Sequence, residues 1–120
     1  MSAETDSMRE SLALLAGKEE QFASLLRDDL KQSHPEVIPA YEKMPADGVK
    51  TALERFSVNT GEGEPSSDPE PEVVDLADSI MKVFARTLGR AAWKPHMALA
   101  WNSSLRRDGE TLLAELNELQ

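Results

Sequence analysis

Residues 71–120 read PEVVDLADSIMKVFARTLGRAAWKPHMALAWNSSLRRDGETLLAELNELQ, and this stretch decides the fold. Val73, Leu76, Ala77, Ile80, Phe84 and Leu88 recur at spacings of three and four, with Val74, Met81 and Val83 widening the stripe. That period is helical. Gly89 supplies a stop, and Lys94-Pro95 opens a last helix carrying Met97, Ala98, Trp101, Leu105, Leu112, Leu116 and Leu119. Gly109 interrupts it at a cost of roughly 1 kcal/mol against alanine, which predicts a kink or a close helix contact.

Working outward, the remaining periodic stretches are also helical. Ser7-x-x-Glu10 fits a capping box at the start of a first helix containing Leu12 and Leu15, with Gly17 as its stop. A second helix is expected from Lys18 to Ser33, with Phe22, Leu25, Leu26 and Leu30 on one stripe. Pro35 suits the opening of a short helix capped by Ser33 or His34 and contacting the core through Val37, Ile38 and Tyr41. Ala46 to Ser57 places Val49, Ala52, Leu53 and Phe56 on one side. Residues 59–72 contain Gly61, Gly63, Pro65, Pro69 and Pro71, five acids and no base, and no large apolar residue. This segment reads as a solvated loop, with nothing to bury against its ordering entropy. Nothing alternates as a strand would. The expectation is a single all-α domain of five or six helices spanning 1–120.

Composition limits the function. The chain has 120 residues, a net charge of −9 and no cysteine. So acidic a surface repels phosphate backbones and anionic lipid, so neither nucleic acid nor membrane is expected as a partner. No run is apolar enough to span a bilayer, and the polar start Met1 to Asp6 lacks a signal pattern, so the expected location is the cytoplasm. Without cysteine there is no thiolate nucleophile, disulfide or Cys-type zinc site. The only histidines, His34 and His96, are far apart, which argues against zinc. Asp28-Asp29 and Glu19-Glu20 are adjacent on a helix and point apart, as a solvated face does. Ser66-Ser67 and Ser103-Ser104 lack a nucleophile elbow, and the chain is not expected to be an enzyme.

Two blocks of residues carry a family resemblance. His34-Pro35-Glu36-Val37-Ile38-Pro39-Ala40-Tyr41 follows the second helix; Leu88-Gly89, Trp93-Lys94-Pro95 and Ala100-Trp101 close the chain. In this order they resemble single-domain bacterial globins and the globin part of flavohaemoglobins, with Tyr41 at the aromatic position that packs on haem. The resemblance implies a shortened globin-like fold. It departs from the family at the iron site. The helix that would bear the proximal histidine falls on the acidic Gly/Pro segment, which has no histidine. The family's ligand-binding tyrosine aligns with Arg27, and residues 46–57 offer no distal glutamine or histidine.

The implied function is therefore a haem-free, regulatory or protein-interaction domain that binds a partner or a small apolar ligand, without a cofactor. Phe22, Leu26, Tyr41, Phe56, Ile80 and Phe84 would line the vestigial pocket. The alternative is a shortened globin that holds haem through an unorthodox ligand such as His96 or a methionine. Residues 73–107 carry two acids against six bases, and Lys82, Arg86 and Arg90 share one helix face, which suits an acidic partner or the acidic half of a second copy. With haem and helices missing, a homodimer through the two C-terminal helices is expected to cover their apolar surface, including Trp93, Trp101, Leu105 and Leu112.

Overall fold

The computed structural model describes residues 3–43, 46–59 and 70–118. Every regular element among them is helical: α1 (Ala3–Ala13), α2 (Glu19–Ser33), a 3-10 turn (Pro35–Val37), α3 (Ile38–Tyr41), α4 (Ala46–Asn59), α5 (Pro71–Leu88) and α6 (Pro95–Glu118). The all-α expectation holds, with five substantial helices and one of a single turn. Of the expected acidic loop, residues 60–69 lie outside the described residues, while Pro71 and Glu72 already belong to α5.

Local chemistry sets the helix ends. Pro71 opens α5 where a missing N–H costs nothing, and acidic Glu72 suits the positive end of the dipole. Gly89 ends α5 at φ 80°, a conformation that favours glycine, and its N–H returns to the Ala85 carbonyl at 2.9 Å. Pro95 opens α6 in the same way. Ser7 does not cap α1, which begins a turn earlier, so the box motif lies inside the helix. Glu4 and Asp6 in the first turn favour that earlier start. Glu4 is also bound to Arg107 of α6, a tertiary contact that the local motif cannot encode.

Gly109 fulfils both expectations made for it. Asp108 leaves helical geometry at φ −128°, ψ 17°, so α6 kinks there. A Cβ on Gly109 would stand 2.8 Å from Cγ1 of Val73, so glycine is what lets α6 approach the start of α5.

The five long helices close a ring. α1 packs on α4, α4 on α2, α2 on α5, α5 on α6, and α6 returns to α1 while also crossing α4. The 3-10 turn and α3 sit between α2 and α6. The centre is filled by Phe22, Phe56, Phe84 and Trp101, each at most 1% exposed. Burial of side chains of this size is the main source of stability available to so small a domain.

Candidate functional site

The six residues expected to line a pocket do converge, on one another. Phe22 and Leu26 come from α2, Tyr41 from α3, Phe56 from α4, and Ile80 and Phe84 from α5; none is more than 4% exposed. Ring centroids of Phe22 and Phe84 are 4.7 Å apart, and those of Phe84 and Trp101 5.2 Å. Phe56 stacks on the other side of the cluster, 6.4 Å from Trp101. These are the spacings of packed aromatic pairs. The six side chains therefore form a core.

Trp93 and Trp101, expected on a dimer face, belong to this cluster. Trp93 is half-buried and stacks on Phe84 with centroids 5.1 Å apart. Trp101, Leu105 and Leu112 are fully buried inside the monomer, so they offer no surface to a second copy in this packing. The reason is α1. It covers the flank of α6 that had been expected to lack a cover. The Trp101 Nε1–H donates to Ser11 Oγ at 2.8 Å, Ser11 donates to the Met8 carbonyl at 2.7 Å, and Ser104 meets Glu4 at 2.6 Å. The large apolar side chains left exposed among the described residues, Leu14, Val58 and Leu99, belong to three different segments: the turn after α1, α4 and α6.

Tyr41 is locked. Its hydroxyl donates to the Ala23 carbonyl of α2. Burial pushes its phenol well above the ordinary range, the Arg27 charge opposes this, and Asp28 adds to it. Tyr41 thus stays a neutral donor that ties α3 to α2.

His34 takes a role that the short motif concealed. The ring is fully buried, with Nδ1 2.9 Å from Ser33 Oγ and Nε2 2.8 Å from the Glu72 carbonyl. A carbonyl only accepts, so Nε2 carries a proton and donates. In the neutral ring, Nδ1 then accepts from the Ser33 hydroxyl, a nucleophile–base contact in form. Beside it runs an open groove of about 410 Å³ lined by Asp29, Gln32, Ser33, Asp75, Asp78, Ser79 and Lys82. Three carboxylates against the one ammonium of Lys82, with the carbonyl end of α2, leave this groove net negative, the wrong sign for stabilising the oxyanion of acyl transfer. The geometry serves joining instead: one imidazole bridges the end of α2 to the first turn of α5.

The basic face is only partly open. Lys82 Nζ lies 2.5 Å from Asp29 Oδ1 of α2, so its charge is matched within the chain. Burial pushes the Asp29 carboxyl up, but hydrogen bonds from Lys82 and Ser79 and the charges of Lys82 and Arg86 outweigh it, holding the group below its ordinary 3.8. A depressed carboxyl contributes stability above its unfolded pKa and loses it as pH falls through the lower folded value. Asp29→Asn is therefore expected to flatten the loss of stability below pH 3.8, read from urea midpoints at stepped pH. An unchanged acid limb would remove Asp29 from the account. Arg86, Arg90 and Lys94 are exposed.

His96 is more than half exposed and pairs with Glu10 of α1 at 3.2 Å. Among the described residues, no group of three or more His, Cys, Asp or Glu side chains could hold a metal ion. No described helix is long and apolar enough to cross a membrane. No protein-family model matches the chain, and comparison with curated proteins and with solved structures returns no match.

Proposed function

We propose that this chain is a haem-free, globin-like interaction domain that works by binding an acidic protein partner rather than by catalysis. The observation that carries this reading is the filled centre of the helical ring. Phe22, Phe56, Phe84 and Trp101 fill the space between the helices with packed rings, the space that a globin-like reading would assign to a cofactor. Rings packed at these distances leave no room among themselves for a haem, or a small apolar ligand, without displacing aromatic core. The histidines are engaged elsewhere: His34 bridges α2 and α5, and His96 pairs with Glu10 on the outer flank of α6. What remains is surface chemistry. On a chain of net charge −9, the exposed cations Arg86, Arg90 and Lys94 follow one another around the end of α5 and the turn to α6. A local patch of opposite sign steers and orients an acidic partner.

Two titrations test the reading. Haemin added to the purified protein is expected to give no stoichiometric Soret band; a sharp one that shifts with carbon monoxide after reduction would establish the shortened haem-binding globin instead. A glutamate-rich peptide is expected to change the fluorescence of Trp93, which lies between Arg90 and Lys94 in sequence. Salt should abolish that change, as should Arg90→Glu with Lys94→Glu. A response indifferent to both would remove the acidic partner.

A further inference from the structure

Among the elements of the fold, α1 packs only on α4 and α6. It contributes three buried apolar side chains, Met8, Leu12 and, just past its end, Leu15. Several of its polar contacts reach α6: Glu4 to Arg107 and Ser104, both at 2.6 Å, Ser11 to Trp101 at 2.8 Å, and Glu10 to His96 at 3.2 Å. The aromatic pairs at the centre join α2, α4, α5, α6 and the turn before α6, and none of them involves α1. The groove between α4 and α6 is thus a seat for one amphipathic helix, apolar on its floor and with Arg107, only 11% exposed, at one end to select an acid.

The connection to α2 is nearly helical already. Leu14 N–H bonds to the Glu10 carbonyl, Leu15 to Leu12 and Ala16 to Ala13, while Phe22 bonds to the Lys18 carbonyl. The break falls at Gly17, whose φ is 83°, with Lys18 beside it at φ −122° and ψ 11°. Nothing lies within 4 Å of the position a Gly17 Cβ would take, so the hinge moves in open space. The buried residues are also in phase across it. Met8, Leu12, Leu15, Phe22, Leu26 and Leu30 keep spacings of three, four and seven, the stripe of one continuous helix interrupted by the turn. Rotation of Gly17 and Lys18 into helical geometry would join Ala3 to Ser33 in a single rod on the order of 45 Å long. Its second half would stay in its own domain, and its first half would project away.

We propose that the α4/α6 groove is an exchange site, and that a second copy of this chain fills it with its own α1, reciprocally, by straightening at Gly17. The occupant is specified by the groove itself, because every contact α1 makes within one chain is remade between two. The balance is then set by the hinge and by concentration, as in other exchanges of an identical element. This proposal is independent of the haem-free reading and of the basic patch.

The decisive experiment uses two charge-reversed full-length chains, Glu4→Lys and Arg107→Glu. Alone, each places like charges together in its groove. Mixed, a reciprocal exchange matches Lys with Glu in one groove and Glu with Arg in the other. A heterodimer is expected on mixing, seen by native mass spectrometry, with a thermal midpoint above that of either chain alone. In a second arm, Gly17→Ala disfavours the positive-φ turn and favours the rod. It is expected to lower the concentration at which dimer appears by about a hundredfold, since alanine pays roughly 1–2 kcal/mol in that conformation and two chains straighten in each dimer. Three extra glycines after Gly17 should return the chain to monomer. Absence of the heterodimer from the mixture, whatever Gly17→Ala does, overturns the proposal.

Discussion

Trp101→Ala is expected to be the most damaging single substitution in this chain. The indole is fully buried, contacts the rings of Phe56 and Phe84, and spends its one polar hydrogen on Ser11. Truncating a buried tryptophan costs about 3–5 kcal/mol, the transfer term and the cavity together. A domain of this size has about 5–15 kcal/mol in total, so much of the population should unfold at 37 °C if the native protein lies near the lower end. Urea denaturation followed by circular dichroism measures it. Trp101→Phe separates packing from hydrogen bonding. It keeps a six-membered ring, gives up the rest of the indole, and loses the N–H to Ser11, whose hydroxyl still donates to the Met8 carbonyl. Its expected cost is on the order of 1 kcal/mol beyond the smaller ring. Equal midpoints for wild type and Trp101→Ala would mean that the indole is not the centre of the core.

Gly109→Ala is expected to reverse the usual sign of a helix substitution. In a solvated helix the change would gain roughly 1 kcal/mol. Here the new methyl would stand 2.8 Å from Cγ1 of Val73. Valine in a helix is held near one rotamer, so it cannot swing aside, and α5 or α6 must shift. Overpacking of this kind costs about 1–3 kcal/mol, which outweighs the propensity gain. Removal of the obstacle restores the ordinary sign. In a Val73→Ala background, Gly109→Ala should be neutral or stabilising, and the cycle should show a coupling on the order of 2 kcal/mol between residues that are 36 positions apart in sequence. Additive effects of the two substitutions would mean that the helices do not touch there.

The contrast between these residues shows how far local pattern reaches. Gly109 was legible as a kink or close contact because glycine in a helix carries a cost that something must offset. Trp101 was legible as buried but was assigned to the wrong partner. An apolar stripe records that a face leaves water and carries no label for what covers it. The same ambiguity misplaced Leu105 and Leu112. It also left Lys82 looking free, because Asp29 sits 53 positions away on another helix. In sequence His34 reads only as a candidate helix cap. Its buried bridge to the Glu72 carbonyl joins residues 38 apart and leaves no periodic trace. Ser7-x-x-Glu10 failed for the opposite reason: a four-residue motif arises by chance, and Glu4 binding to Arg107 holds the helix open one turn earlier.

By itself, the sequence determined that this protein is helical, which faces of α2, α4, α5 and α6 are apolar, and where Pro35, Pro95, Gly17 and Gly89 punctuate the chain. Those properties follow from side-chain period and from the backbone limits of proline and glycine, which act within a few residues. Only the tertiary structure decided that α1 covers α6, that the aromatic rings close on one another, and that Asp29 matches Lys82. These are contacts between segments tens of residues apart. They are selected by packing and charge in three dimensions, once helices of similar apolarity compete for the same surfaces.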